Sequence, residues 1–152
     1  MKKLILILSV LLLSSCSSKK HQTPLTAQVN VISEDPYKTI ELRSAGFGKS
    51  KDDAYNDAET KAFEIIFFRG IPNTSVETPI IGSKDSQITR NHESYFKEFF
   101  NTRYKSFIMS SFQASPPQKN KGVSSAVVDV KINLMSLKQD LEDHGVRRKF
   151  GL

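Results

Sequence analysis

The residue with the clearest chemistry in this sequence is Cys16, the only cysteine among the 152 residues. It follows Leu13, Ser14 and Ser15, and an aliphatic residue, two small residues and a cysteine in this order match the bacterial lipobox. The pattern suits lipidation because a thiol at the membrane surface accepts a diacylglycerol group, while small residues before it leave the peptide bond open to a peptidase. We therefore predict that Cys16 becomes the lipidated N-terminal residue.

Residues 1–15 have the features of a secretory signal peptide. Lys2 and Lys3 form a positively charged region, and a ten-residue apolar stretch that contains one serine, Ser9, extends from Leu4 to Leu13. This run is too short for a transmembrane helix, which needs about 20 residues. An ordinary signal peptide that ends by coincidence at a Ser-Cys pair is the alternative interpretation.

The residues after Cys16 predict where the anchored protein resides. Ser17 differs from the aspartate that retains lipoproteins in the inner membrane, and Lys19 and Lys20 differ from the acidic residues that direct some lipoproteins to the cell surface. By similarity to these sorting rules, we expect an outer-membrane lipoprotein on the periplasmic face. DNA and RNA are not expected partners in that compartment. The formal charge of +6 is typical of a solvated surface, with binding to anionic lipid or glycopolymer as the alternative.

The remaining sequence predicts a single folded domain after a tether. The polar stretch from Ser17 to Ala27 has no hydrophobic periodicity, so residues 16–36 are interpreted as the lipidated cysteine and a flexible linker. Residues 37–145 then form one domain, and residues 146–152 a basic tail. Because an acylated Cys16 leaves no free thiol, packing alone must hold this domain together.

Hydrophobic periodicity predicts an α+β fold. Alternation over Thr39–Phe47 indicates a strand, and an alanine stripe over Lys51–Arg69 indicates a long helix that packs closely on a sheet. A small, mostly antiparallel sheet packed by this helix and one or two shorter helices accounts for the whole pattern. The other predicted elements are a long loop over Asn73–Thr89 with a short strand near Val76, a helix over His92–Asn101, a strand over Tyr104–Ala114 that ends before Pro116 and Pro117, a strand over Val123–Leu134, and a helix over Ser136–His144.

Motifs for catalysis, cofactors or metals do not emerge from the sequence. The Gly46–Ser50 turn resembles a phosphate loop only superficially, because Arg43 stands where the first Walker A glycine is required. His21, His92 and His144 are far apart, and none has a second histidine or a cysteine at ligand spacing. We expect no cofactor and no metal, and acidic residues near His144 are interpreted as a polar helix end.

Two basic segments are candidate binding surfaces. An aromatic run from Tyr95 to Phe107 is interleaved with Lys97, Arg103 and Lys105, and such a pattern stacks on sugars, with Tyr95 and Arg103 as the candidate contacts. The helical spacing of the aromatic residues favours the alternative, a hydrophobic core face. Arg147 and Arg148 in the basic tail are candidate contacts to acidic lipid or to a partner, with a solvated chain end as the alternative.

The segment from Ala45 to Ala62 resembles a family motif. Its Gly-x-Gly-x-Ser-x-x-x-Ala-x-x-x-Ala pattern is similar to that of small bacterial lipoproteins related to the N-terminal domain of flagellar assembly protein T. The resemblance extends over about residues 37–145, although residues 73–107 depart from the pattern. It implies an envelope-associated protein without catalytic residues, whose relatives accompany secretion or cell-wall assembly proteins.

These observations lead to three hypotheses about function. The first is a non-enzymatic, membrane-anchored periplasmic protein that binds or positions another cell-envelope protein. The second is a hydrolase of peptidoglycan or another glycan that uses some of the residues Asp52, Asp57 and His92. The third is direct binding of glycan strands by the aromatic segment, which makes peptidoglycan a further candidate partner.

Replacing Cys16 with serine should abolish lipidation, because a serine hydroxyl does not accept the diacylglycerol group. The variant should run as an uncleaved precursor or appear as soluble periplasmic protein, and the domain should fold unchanged since Cys16 lies outside it. Metabolic labelling with palmitate measures the result. A parent chain that takes up no label, or a Cys16→Ser chain that still does, would contradict the predicted anchor.

Overall fold

A four-stranded antiparallel sheet with helices packed on one face forms this α+β domain. The structure is a computed structural model that describes residues 29–84 and 86–148, so Cys16, the signal peptide and residues 149–152 of the tail lie outside it. The helices and strands, in chain order, are β1 (Val29–Asp35), β2 (Thr39–Gly48), α1 (Lys51–Phe68), α2 (Gln87–Asn91), α3 (Glu93–Asn101), a 3₁₀ helix (Arg103–Phe107), β3 (Ile108–Asn120), β4 (Val123–Asn133) and α4 (Leu134–Asp143).

The sheet has the strand order β1-β2-β4-β3, with α1 lying across its two central strands. Strict alternation places Ile40 and Leu42 of β2 beneath α1, together with Val128, Val130 and Ile132 of β4. The opposite face carries Arg43 and Asp129, joined by two hydrogen bonds of 2.7 Å. One face of the sheet is therefore the core, and the other is open and polar, as is usual for antiparallel sheets.

Helix α1 lies unusually close to β2 because both contribute small residues to the contact. A Cβ atom added to Gly46 would be 2.2 Å from the carbonyl oxygen of Ala54 and 2.2 Å from the backbone nitrogen of Ala58. Ala54 and Ala58 are fully buried, which confirms the predicted packing of the alanine stripe. The helix begins with a capping box in which Ser50 and Asp53 bond each other's backbone N–H groups.

Most of the aromatic segment belongs to the core. Phe99 packs against Phe63 with ring centroids 5.5 Å apart and against Phe107 at 5.7 Å. Phe96 is also buried, and Tyr104 donates a hydrogen bond to the buried carboxylate of Glu59. A domain without tryptophan fills the space between α1, α3 and the sheet with these rings, as their helical spacing indicates.

The domain has two ends that carry different surfaces. At the end that we call the entry end, β2 ends at Gly48 and the β3–β4 hairpin turns at residues 121–122, while β1 begins at Val29 opposite Ser44, near the middle of β2. At the turn end lie the β1–β2 turn, residues 36–38, and the start of α4 at Leu134. The strand β2 connects the two ends, and ten residues of strand span about 30 Å.

Three predicted boundaries are wrong. Residues 29–35, which were predicted to be linker, form β1. The sequence did not predict this strand because only Val29 is buried in it, so its residues show no clean alternation. The strand predicted for Tyr104–Ala114 begins four residues later, after a 3₁₀ turn, and β3 continues through Pro116 and Pro117. Prolines are tolerated there because β3 is an edge strand whose pairing is irregular around them.

The third boundary concerns the basic tail. Val146 is buried, and its N–H donates to the carbonyl oxygen of Leu141 at 2.9 Å. With Gly145 at φ 66° and its N–H bonded to Glu142, this is a Schellman motif that ends α4. Residues 146 and 147 thus belong to the domain. In the predicted loop over Asn73–Thr89, no strand forms near Val76, which is a buried core residue instead.

Enlarging either side of the α1–β2 contact should destabilise the domain. Gly46→Ala places a methyl group against helix backbone that has no room to yield, and Ala58→Leu overpacks the same contact from the helix. We expect losses of about 3 kcal/mol for the first and about 1–3 kcal/mol for the second, measured by urea unfolding. The control Ala45→Ser changes the open face of β2 and should leave stability within about 0.5 kcal/mol. An unchanged Gly46→Ala midpoint would contradict this packing.

Candidate binding groove

A groove with a volume of about 640 Å³ opens at the turn end of the domain. One wall is the β1–β2 turn, a second is the loop after α1, and the floor is one side of α4. The helix supplies Met135, Lys138, Gln139 and Glu142, which share this side because they are spaced by three and four residues. The residues that line the groove are Tyr37, Ser75, Thr78, Pro79, Ile80, Met135, Lys138, Gln139, Glu142 and Arg147.

Tyr37 is the residue of the groove whose conformation is least expected. Lys38 N–H bonds Asp35 C=O at 3.0 Å, which closes a β-turn, and Tyr37 occupies this turn with φ 64°. That left-handed conformation favours glycine or asparagine and costs other residues about 1–2 kcal/mol. The Tyr37 side chain is nevertheless 67% exposed, so burial of its ring does not repay the strain.

The loop after α1 holds the backbone of this turn in place. Tyr37 N–H donates to the hydroxyl oxygen of Ser75 at 3.1 Å. Ser75 in turn donates its own N–H to the carboxylate of Glu34 at 2.8 Å, and its hydroxyl bonds the same carboxylate. These bonds connect β1, the turn and the loop, so the surrounding structure fixes the strained residue.

The charges of the groove are mixed. Lys138 Nζ lies 5.4 Å from the centroid of the Tyr37 ring, an arrangement that allows a cation–π interaction. Burial and the neighbouring Arg147 lower the pKa of Lys138, and Glu34 opposes this effect. Arg147 Nη1 lies 3.8 Å from Glu142 Oε1. The groove therefore combines an exposed aromatic ring and apolar side chains with a few charged groups of both signs, a composition typical of binding sites.

The structure brings together two of the residues predicted for binding. Tyr95 and Arg103 both donate hydrogen bonds to the carboxylate of Asp140, Tyr95 at 2.7 Å and Arg103 Nε at 3.2 Å. Burial works to raise the pKa of Asp140, but the hydrogen bonds from Arg103 and Tyr95 outweigh it and leave this pKa below its usual value. Burial, followed by the bond to Asp140, raises the pKa of Tyr95.

His144 completes this polar cluster at the end of α4. Its Nδ1 lies 2.8 Å from the backbone oxygen of Asp140 and 3.6 Å from the Asp140 carboxylate, and its ring is 5.1 Å from that of Tyr95. In these contacts the hydroxyl of Tyr95 and the guanidinium of Arg103 both donate to the carboxylate of Asp140. The cluster joins α3, the 3₁₀ helix and α4, and its role is to hold these elements together.

The other predicted residues are separated. Arg147 lines the groove, whereas Arg148 is exposed beyond it, and Cys16 lies outside the described residues. The hydrolase hypothesis draws no support from geometry. Asp57 accepts hydrogen bonds from Phe47 N–H and Lys61 Nζ, and His92 Nδ1 lies 3.0 Å from the backbone oxygen of Ile88.

Sequence reasoning missed Tyr37 and Lys138, the two residues that meet across the groove. Tyr37 follows Asp35-Pro36, a turn signal that the linker assignment concealed. Lys138 lies on the solvent side of a correctly predicted helix, where a lysine is ordinary. Only their proximity in space identifies them as a pair.

Comparison with protein-family models, with curated proteins and with solved structures finds no match. Among residues 29–84 and 86–148, no helix is long and apolar enough to cross a membrane. The same residues contain no group of three or more histidine, cysteine, aspartate or glutamate side chains arranged to hold a metal ion.

Removing the charge of Asp140 should destabilise the domain in a pH-dependent way. Asp140→Asn keeps the shape but weakens the three hydrogen bonds that the carboxylate accepts, one from Tyr95 and two from Arg103, for an expected loss of about 1.5–3 kcal/mol at pH 7. Because the pKa of Asp140 is lowered on folding, its contribution is present above the unfolded value of about 3.9 and is lost as the pH falls through the native pKa.

Urea unfolding of the parent and the variant between pH 7 and pH 2 measures this difference. The control is Asp143→Asn, a neighbouring exposed carboxylate on the same helix, which should change stability by less than about 0.5 kcal/mol. A difference between the parent and Asp140→Asn that stays constant down to pH 2 would show that the carboxylate charge does not stabilise the cluster.

Proposed function

We propose that this protein is a non-enzymatic, lipid-anchored module of the bacterial cell envelope that binds another envelope protein through the groove at its turn end. The lipobox at Cys16 supports the anchor, and Ser17, Lys19 and Lys20 support the periplasmic face of the outer membrane as its location. The resemblance of Ala45–Ala62 to envelope lipoproteins supports the same role. The groove supplies a surface on which a partner can be positioned.

The observation that carries this proposal is the strained and exposed Tyr37. A residue held at φ 64° by the surrounding hydrogen bonds, with its ring 67% exposed, contributes little to the stability of the isolated domain. Strain of this kind is concentrated at binding and catalytic sites. A tyrosine at a groove mouth offers a large rigid contact area with one hydrogen-bonding group, which explains why tyrosine dominates many protein interfaces.

The apolar residues beside Tyr37 favour a protein partner. Met135 is 63% exposed, and Pro79 and Ile80 continue the apolar surface along the groove. Lys138 and Glu142 lie on the same side of α4 and offer one charge of each sign at its edge. An apolar centre bordered by a few charged groups is the usual composition of a protein-binding surface. Peptidoglycan is the alternative partner, and its binding would give a different crosslinking result.

Replacing Tyr37 with asparagine should separate binding from stability. Asparagine tolerates the left-handed conformation, so the strain is relieved while the aromatic contact is lost. We expect a free energy of unfolding equal to that of the parent or raised by up to about 1 kcal/mol, and at least a tenfold loss of partner capture. A variant that unfolds more easily, or that still captures the partner, would contradict the proposed role of Tyr37.

Capture is measured with a photo-crosslinking phenylalanine derivative placed at Met135 in cells that produce the full chain. The matched control carries the same group at Lys97, which is exposed on α3 away from the groove. A discrete protein adduct at Met135, absent at Lys97 and lost with Tyr37→Asn, is the expected result. Equal adducts at both positions would contradict the groove as the binding site, and a heterogeneous adduct that a muramidase removes would identify peptidoglycan instead.

A further inference from the structure

The entry end of the domain carries a group of lysines that no internal contact explains. Lys49 and Lys51 flank the turn between β2 and α1, and Lys119 and Lys121 lie at the β3–β4 hairpin. All four are exposed, and none forms a salt bridge with a described residue. We call these four residues the entry-end lysines.

The strand register places the entry-end lysines on one surface. Gly48 of β2 pairs with Ser124 of β4, and Lys119 of β3 pairs with the same Ser124. The two turns that carry the lysines therefore adjoin β4 from opposite sides.

Three acidic residues lie beside this surface. Asp52 and Asp53 are in the first turn of α1, where Asp53 is engaged in the capping box, and Asp57 accepts a hydrogen bond from Phe47 N–H. Asp57 is paired with Lys61, so four lysines against the two remaining aspartates leave the surface positive.

The groove lies at the other end of the strand that leads to the lysines. The strand β2 runs from Thr39, beside the β1–β2 turn, to Gly48, beside Lys49 and Lys51, and ten residues of strand span about 30 Å. A domain that contacts a membrane through the entry-end lysines therefore holds its groove away from that membrane.

Two exposed apolar residues accompany the lysines. Phe47, the second-last residue of β2, is 46% exposed, and Val123, the first residue of β4, is 50% exposed. The Phe47 ring also lies 5.0 Å from Lys61 Nζ. Protein surfaces that lie on a bilayer combine lysines and arginines with apolar side chains such as Trp, Phe and Leu. The position of Phe47 and Val123 among lysines fits a surface that contacts lipid headgroups better than one that faces only water.

We propose that the entry-end lysines bind the anionic phospholipid surface of the membrane and hold the domain with its groove directed away from the bilayer. The two acyl chains of a diacylglycerol at Cys16 would suffice for stable anchoring, so the lysines would set the orientation of the domain and not its attachment. Each lysine near an anionic surface contributes about a fivefold increase in partitioning. The orientation rests on the proposed anchor, but the lysine–lipid interaction itself does not require the acyl group.

The test uses residues 16–152 with Cys16→Ser, so that neither the apolar leader nor an acyl group contributes. Both hydrophobic clusters of the described core lie within residues 29–148 and are therefore retained. Co-sedimentation is measured with vesicles of pure phosphatidylcholine and with vesicles that contain one-third phosphatidylglycerol. We expect at least tenfold stronger binding to the anionic vesicles, which is lost when the salt concentration is raised from 0.1 M to 0.5 M.

The variant Lys119→Glu/Lys121→Glu should lose at least tenfold of the binding to anionic vesicles. Its matched control, Lys97→Glu/Lys105→Glu, makes the same change in net charge on exposed residues of α3 and the 3₁₀ helix, away from the entry end, and should bind within about threefold of the parent. Circular dichroism checks that both variants remain folded; if the hairpin variant does not, Lys49→Gln/Lys51→Gln replaces it.

Equal binding to both kinds of vesicle, binding that survives high salt, or equal losses in the hairpin variant and its control would each overturn the proposal. Palmitate labelling of the full chain tests the anchor separately. A chain that is not labelled but binds anionic vesicles through these lysines contradicts the anchor alone. A labelled chain whose entry-end lysines do not bind contradicts this inference alone.

Discussion

The domain depends on the close contact between α1 and β2 at Gly46. With 2.2 Å between a hypothetical Cβ and the backbone of the helix, even one methyl group is excluded. This distance sets the position of α1 on the sheet, and it requires alanines where the helix crosses β2. Ser44, on the same side of β2, is fully buried, and its hydroxyl has no hydrogen-bond partner among the described residues. A buried hydroxyl without a partner costs about 1–3 kcal/mol, and packing alone does not require it here, because alanine would be as small.

The same contact explains why the two halves of α1 differ. Its first half carries alanines against the sheet, so the layers there are close and leave no room for aromatic rings. Its second half carries Phe63 and Phe67, which separate the layers and make space for Phe99 and Tyr104. The domain is therefore thin at its entry end and thick at its turn end. The added elements at the thick end, α3, the 3₁₀ helix and α4, also form the walls of the polar cluster, and α4 forms the floor of the groove.

Local sequence patterns predicted the elements that are amphipathic and missed those that are not. Buried residues alternate with half-buried ones along β4, and the alanines of α1 repeat at helical spacing, because one side of each element faces the core. In β1 only Val29 is buried, while Val31 and Ile32 are exposed around an irregularity in its pairing, so no period of two can be detected. The prolines in β3 likewise predicted a break in the strand. They are tolerated because β3 lies at the edge of the sheet, and this position cannot be read from the sequence of the segment itself.

Local sequence patterns were equally limited in identifying the residues of the candidate sites. The sequence singled out Tyr95 and Arg103 by residue type, but their polar groups converge on Asp140, a partner 45 and 37 residues away that no local pattern connects to them. Tyr37 and Lys138 are ordinary in sequence and distinctive only as neighbours. Because β2 holds the turn end about 30 Å from the entry end, the groove and the lysine surface cannot serve one ligand of ordinary size.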